Sequence, residues 1–363
     1  MNSRRWITGT ALAFAALAAT PMTASAVQVV NINADPNPTA GGTALIITLA
    51  NITDNSASKP YLITMDPGTY DVGDTRVALK PFVDIQGSGQ GNTIIQGNGN
   101  PSAGDLSNGV LKGASSMELR DLQVKCVGGG GRNGIALYNS LASPTLRNVT
   151  IVASGGDSNW GIRNNGSSPL IEDSTITVTG GTSAYGIVDT SNTAAKPTVR
   201  RTVISVSGAT NSFGIYNDLQ GMPADVRDMK ITVSGSTGAY GFYLTSSNGS
   251  NAGSLFSSIL SASGAVTNYG VYFSGLGSDS LTVDYAQITA SGGTSSYGLY
   301  ANLAGLTLRH SSITGATRSV KSTSNMPKIG LSQLAGAFEP SGIPACAGVY
   351  DASLTFFAGP TCP

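Results

Sequence analysis

Three aspartates recur in one phrase of this chain: Asp121 in Leu119-Arg-Asp, Asp173 in Ile171-Glu-Asp and Asp228 in Val226-Arg-Asp. Two carboxylates held roughly 5–9.5 Å apart are what glycoside hydrolysis requires, the separation setting the stereochemistry. If the phrases lie on stacked coils, Asp121 and Asp173 are two coils, or about 9.6 Å, apart. Asn148 of Leu146-Arg-Asn then stands between them. Asp, Asn and Arg in one column also form a polar turn ladder that satisfies backbone groups, and that is the reading adopted. His310 of Leu308-Arg-His falls in the same column and reads as a turn residue rather than a base. No catalytic residue is assigned.

A second set is aromatic. Tyr216, Tyr243, Tyr272 and Tyr300 each follow an apolar residue that alternation turns inward, so they face outward, one per repeat. Outward rings about 4.8 Å apart make a strip on which sugar rings can stack. Asn217, Asp218, Thr245, Ser274 and Asn302 stand beside it to bond hydroxyls. The four tyrosines are the candidate substrate-binding residues; mutual stacking that stabilises the sheet is the competing use of the same rings. A third set, outward Thr and Ser pairs such as Thr177 with Thr179 and Thr232 with Ser234, resembles the flat faces of ice-binding solenoids. Ser replaces Thr often, however, and small hydroxyl residues are ordinary on a solvated strand.

The three cysteines differ in setting. Cys346 and Cys362 bracket a short C-terminal segment and read as a disulfide. Cys126 alternates with Leu122 and Val124 and reads as a buried apolar filler. A catalytic thiol would need a base, and the sole histidine, His310, is far along the chain.

The elements that position these residues are repeats. Trp160-Gly-Ile, Tyr185-Gly-Ile, Phe213-Gly-Ile, Tyr240-Gly-Phe, Tyr269-Gly-Val and Tyr297-Gly-Leu recur every 25 to 29 residues, each preceded by a phrase of the Leu-Arg-Asp kind. Self-similarity at that period marks stacked structural units. Alternating segments such as Thr175-Ile-Thr-Val-Thr, bounded by Gly-Gly or Ser-Gly, make those units short strands and turns rather than helices. The spaced consensus of a leucine-rich repeat and the six-residue beat of a left-handed helix are both missing.

A coil of about three strands follows, with each sequence column becoming a physical ladder. Val124, Ile151, Ile176, Ile204, Ile231, Leu260, Ile288 and Ile313 form one inward ladder; Ile162, Ile187, Ile215, Phe242, Val271 and Leu299 form another. Alternation points the aromatic column, Trp160 to Tyr297, the same way as the second ladder, in or beside the core. Open solenoid ends expose strand edges and need caps. A short amphipathic helix over 43–52, following Gly41-Gly42, suits the N-terminal end, and a disulfide-closed segment suits the other. The expected organisation is a signal peptide over 1–26, a cap with first coils over 27–100, β-helix repeats over 101–325 and a C-terminal cap over 326–363.

Arg4 and Arg5, the apolar run 11–19 and Ala24-Ser-Ala read as a secretory signal peptide. The run is shorter than the roughly 20 residues a membrane span needs. The expected location is therefore secreted or periplasmic, cell-surface association included, with no transmembrane segment in the mature chain. Removing Arg4 and Arg5 leaves 18 basic against 20 acidic residues, a charge of −2. That balance argues against nucleic acid as a partner, because phosphate binding needs clustered Lys and Arg. No cofactor or metal is expected.

Asp66-Pro-Gly-Thr-Tyr-Asp, Val83-Asp-Ile-Gln-Gly-Ser-Gly and Thr93-Ile-Ile-Gln-Gly resemble the opening of right-handed parallel β-helix proteins of the pectin-lyase-like superfamily. The later coils look like that family's repeats, and Cys346-Ala-Gly-Val-Tyr-Asp is similar to a C-terminal phrase of its exported bacterial members. The resemblance implies an all-β, single-stranded right-handed parallel β-helix. It covers most of the mature chain. The superfamily's enzymes act on polysaccharides, yet no class matches here. The Asn-Thr-Asp, Asp-pair and Gly-His-Gly set of polygalacturonases, the Gln-Asp and Asp-Phe-Ile-Phe-Gly phrases of pectin methylesterases and the Arg-x-Pro-x-x-Arg of pectate lyases do not occur. The expectation is a non-enzymatic exported protein that binds a polysaccharide or cell-surface glycan or serves as a surface or extracellular structural element. The alternative is a polysaccharide lyase or glycoside hydrolase with an unrecognised site.

Overall fold

The computed structural model describes residues 26–99, 106–190, 196–217, 225–246, 252–275, 279–302, 305–323, 327–341, 344–359 and 362–363. The expected signal peptide lies outside them, apart from Ala26. The architecture is the expected right-handed parallel β-helix, with three strands to a full coil.

The first strand is short: three residues in Leu170–Glu172 and Thr198–Arg200, where Ile171 and Val199 face the core, and five in Ser280–Asp284, where Leu281 and Val283 do. The second strand, as in Thr175–Thr179, buries two. Its inward ladder runs in unbroken register from Ile95 through Val124, Ile151, Ile176, Ile204, Ile231, Leu260 and Ile288 to Ile313 and Leu334. The third strand, as in Ser183–Asp189, carries the ladder from Ile162 to Leu299. Both ladders are fully buried, as the alternation predicts.

The aromatic column departs from expectation. Trp160, Tyr185, Phe213, Tyr240, Tyr269 and Tyr297 lie outside the main core, because the glycine after each ring resets the alternation. A Cβ on Gly161 would fall 2.7 Å from Ile176 Cγ2 and 2.6 Å from the carbonyl oxygen of Gly186. Gly214 is as tight, 2.5 Å from both Ile231 Cγ2 and the Gly241 oxygen. Glycine and the apolar residue after it therefore both face the core, and the ring before them turns out.

The first and second strands meet at a corner held in the left-handed region. Asp121, Asn148, Asp173, Asp228, Tyr285 and His310 have φ of 56°, 54°, 51°, 55°, 53° and 46°. The next residue inward is often a hydroxyl that pins the corner. Ser174 Oγ donates to the Glu172 carbonyl (2.7 Å) and accepts from Val149 N (3.2 Å); Ser311 does the same with Arg309 (2.6 Å) and Ala286 (3.0 Å).

The N-terminal helix spans Pro38–Asn51 and starts earlier than expected. Asn37 caps it by accepting from Thr39 N, and proline opens the first turn. Gly41 and Gly42 lie inside the helix because it presses on the strand Gly68–Asp71; a Cβ at Gly42 would sit 2.0 Å from the Asp71 oxygen. Leu45 and Leu49 complete the contact. At the other end the parallel ladder continues past residue 326, through Lys328–Gly330 and Ala345–Ala347. An antiparallel pairing of Val349–Tyr350 with Phe356–Phe357 then ends it. Cys346 and Cys362 are bonded across this end, with Cα atoms 5.5 Å apart, as expected.

Two outcomes follow. Ile204→Ala should cost roughly 2–5 kcal/mol in denaturant melts by leaving a cavity, and Gly214→Ala roughly 1–3 kcal/mol or more by overfilling the core. Thr232→Ala, on the outward face, should cost less than about 0.5 kcal/mol; equal losses would invert the strand phase. The second outcome concerns thiols. Burial pushes the Cys126 thiol up to about 11 and hides it completely. Native protein should resist alkylation, unfolded protein should take one equivalent, and mass spectrometry should find Cys346 joined to Cys362; a peptide joining Cys126 to either would refute this.

Candidate functional site

Outside the third strand, two aromatic ladders run side by side. Along the first, rings from Trp160 to Tyr297 stack at centroid steps of 5.5, 4.9, 4.8, 5.2 and 5.2 Å with planes within 13° of parallel. Along the second, Tyr216, Tyr243, Tyr272 and Tyr300 stack at 5.0, 4.9 and 5.1 Å. Between ladders the rings meet edge to face, Phe213 with Tyr216 at 5.2 Å and 81° and Tyr240 with Tyr243 at 5.3 Å and 90°. The result is a herringbone of ten rings, Trp160 buried and the other nine partly so. Each such pair contributes about 0.5–1.5 kcal/mol beyond its area, so the herringbone also stiffens the sheet. Burial holds the phenols of Tyr240 and Tyr269 protonated above their ordinary range, and Tyr272, though it bonds Ser274, likewise.

The four tyrosines thus form the outward strip, but with a qualification. The coil spacing stacks each ring on the next, so their faces cover one another and what remains outward is ring edge and hydroxyl. Thr245, Ser274 and Asn302 are in register beside them, with Asn302 Nδ2 3.4 Å from Ser274 Oγ. Asn217 instead points inward and is 3% exposed, and Asp218 lies outside the described residues. Tyr138 continues the column toward the N-terminus, its ring under the Arg163 guanidinium at 5.7 Å. Toward the C-terminus the ladders end at Arg318 and Lys321, which share Glu339.

The carboxylates on the first strand and its corner are engaged. Asp121 accepts from Asn148 Nδ2 (2.6 Å) and Gln86 Nε2 (3.2 Å). Arg201 grips Asp173 at 2.6 and 3.1 Å and holds its carboxyl below the usual range. Asp225 is held low by Arg227 and Arg200, both at 2.6 Å. Glu118, Arg147, Glu172 and Arg200 link into one chain of ion pairs. Asp84, one coil before Glu118, accepts from Glu118 N at 2.7 Å, and burial raises its carboxyl above the usual range.

One coil of that column escapes the sequence reading. Val283-Asp284-Tyr285 lies in register between Leu255-Phe-Ser and Leu308-Arg-His. Its signal is the spacing: 28 residues from Leu255 and 25 to Leu308 both fit the period. Asp284 bonds two residues of the next coil, Arg309 Nη2 at 2.8 Å and His310 Nδ1 at 2.9 Å. A carboxylate only accepts, so Nδ1 carries the proton and Nε2 of the neutral ring is left as an acceptor. Among the described residues no group of three or more His, Cys, Asp and Glu is arranged to hold a metal ion.

The fold is similar to the A-modules of two mannuronan C-5 epimerases of Azotobacter vinelandii, AlgE4 and AlgE6. TM-scores are 0.53 and 0.52 at 16% and 15% identity, covering 86% of this chain in both cases and 87% and 95% of the other chains. At that identity the likeness establishes the parallel β-helix fold. No protein-family model matches the sequence, and no curated protein matches it.

Beneath the start of the tyrosine strip runs a buried polar ladder. Asn139 Nδ2 donates to Asn164 Oδ1 and Asn164 Nδ2 to Asp189 Oδ1, both at 2.8 Å. The next rung is Asn217. Burial pushes the Asp189 carboxyl up to about 7, the Asn164 bond partly opposing it. Asp189 Oδ2 and Asn217 Oδ1 are both buried without a partner, so a proton on Oδ2 would suit the pair. The native carboxyl keeps its proton to about pH 7 while the unfolded one loses it near pH 4, so this group's contribution falls from pH 4 to pH 7 and is constant above. Asp189→Asn should therefore stabilise the protein by ~2–4 kcal/mol more at pH 8 than at pH 4. A gain independent of pH in paired melts would disprove the buried proton.

Proposed function

We propose that this chain is an exported β-helix protein that binds a polysaccharide along its aromatic wall and performs no chemistry there. The observation that carries the reading is the herringbone itself: a row of tyrosine edges and hydroxyls repeating about every 5 Å on a rigid side wall. That repeat is comparable to the length of one sugar ring in an extended glycan. Contacts of this type are individually weak and accumulate along a repeating ligand. Thr245, Ser274 and Asn302 add hydroxyl partners along the same face. The bonded cysteines and the absence, among the described residues, of a helix long and apolar enough to cross a membrane accord with a secreted or periplasmic setting. The two similar structures are named for action on mannuronan, which supports a glycan as the partner class.

The test is retention on soluble and insoluble glycans. Wild type should be retained on at least one, Tyr272→Ala should weaken retention modestly, and the variant with Tyr216, Tyr243, Tyr272 and Tyr300 all changed to Ala should lose it. Circular dichroism checks the fold of each. Equal retention of a folded fourfold variant would make the strip structural. A product in parallel reducing-sugar and unsaturated-product assays would move the protein to the alternative reading, a lyase or hydrolase.

A further inference from the structure

At the corner between first and second strands the character of the wall changes. From Glu118 to Arg227 the outward side chains form paired charges. Beyond them come Phe256, Tyr285 and His310, with Phe256 edge-on to Tyr285 at 5.5 Å and Tyr285 stacked on His310 at 4.7 Å. Phe256 and Tyr285 are 43% and 57% exposed, unlike the buried and partly buried rings of the herringbone. The column neighbour of Tyr285 on the other side is the small Ser257, and the Phe256 ring reaches Tyr285 edge-on from that coil.

Two further observations bear on this cluster. Tyr285 and His310 occupy the left-handed corner, at φ of 53° and 46°, a conformation costly for a bulky residue that Arg201 and Leu331 also adopt and that Asp121, Asn148, Asp173 and Asp228 fill in other coils. Shallow depressions lie on both sides of the aromatic ridge. One of about 430 Å³ is lined by Ser257, Ile259, Tyr285, Gln287, His310 and Ser312. Another of about 300 Å³ holds Phe256 with Ser254, Thr282, Asp284 and Arg309.

We propose that Phe256, Tyr285 and His310 form a saccharide-binding site, separate from the tyrosine strip, that takes a neutral pyranose. The exposed part of the Tyr285 ring supplies the stacking surface. His310 Nε2, oriented by Asp284, bonds a ring hydroxyl, which can donate to the neutral imidazole or accept from the protonated one. The ligand is neutral because the guanidinium groups here are already engaged, Arg309 by Asp284 and Arg227 by Asp225. An anionic sugar would find no free cation among these groups and would face the carboxylates.

The chain's one histidine makes the test direct. The imidazole resonances of His310 are followed by NMR while the full mature protein is titrated with cello-, laminari-, manno-, xylo- and galacto-oligosaccharides, and with oligogalacturonate as the anionic control. At least one neutral series should produce a saturable shift and oligogalacturonate none. Tyr285→Asn should weaken binding by about tenfold, one aromatic contact, while melting at or above the wild-type temperature because Asn suits the corner. Phe256→Ser is the second probe and should weaken binding with the fold intact. The fourfold tyrosine variant, or Tyr272→Ala if that variant does not fold, should still respond, which separates this site from the strip. Absence of any shift with neutral sugars, a shift with oligogalacturonate alone, loss of the response in the strip variant, or a Tyr285→Asn protein that melts lower than wild type would each overturn the proposal.

Discussion

The structure depends on a space that no side chain fills. On the third strand of the coils from Gly161 to Gly298 a glycine faces the core, where methyl groups of the second-strand ladder lie against its backbone, and Ala136 and Ser319 hold the place in the coils before and after. Gly161, Gly186, Gly214, Gly270 and Gly298 all show this approach, each to an isoleucine. Two neighbouring strands of the coil can then close on a thin core, since backbone rather than side chain meets the methyl group. The same glycine decides what the surface becomes: because it and the following apolar residue both point in, the preceding aromatic must point out. Inner packing and outer wall are thus one constraint seen from two sides.

Parallel stacking makes a ladder of every column, and a ladder magnifies whatever its residue type does. Apolar columns become continuous cores. Charged columns would repel themselves were one sign repeated; along Arg120, Arg147, Glu172, Arg200 and Arg227 arginine meets arginine twice, and an acid two residues earlier on the strand, Glu118 or Asp225, bridges each pair. Exposed pairs of this kind contribute little stability individually, about 0–1 kcal/mol. Their role is compatibility between neighbouring coils, together with the corner hydroxyls that satisfy backbone groups where the strand direction changes.

Residue period and alternation made the two aliphatic ladders legible, down to their register, along with the N-terminal cap and the disulfide. Two of the misplaced features share a cause: contacts from another coil override a local rule. The outward turn of the Trp160–Tyr297 column comes from the carbonyl and methyl groups pressed on its glycines, neither of which is adjacent in sequence. Gly41 and Gly42 read as a helix boundary, yet the strand they pack on makes them part of the helix. Asn217 follows an outward tyrosine and so points inward, where a buried amide ladder receives it. Val283-Asp-Tyr lacks the arginine or asparagine that marks most of its column, so its membership shows in spacing alone, and with it the partner of His310.

Stacking also governs which aromatic faces a ligand can use. Within the herringbone each ring lies about 5 Å from the next, a distance at which the faces satisfy each other. Adding rings to such a column lengthens a wall of edges and hydroxyls without adding open faces. A ring is more exposed where the column changes residue type, as at Tyr285, whose neighbour in the preceding coil is the small Ser257. In a solenoid, then, face-on recognition belongs to interruptions of a ladder and edge-on recognition to its continuous runs. The two aromatic regions of this protein are built for different contacts, although the same repeat produces both.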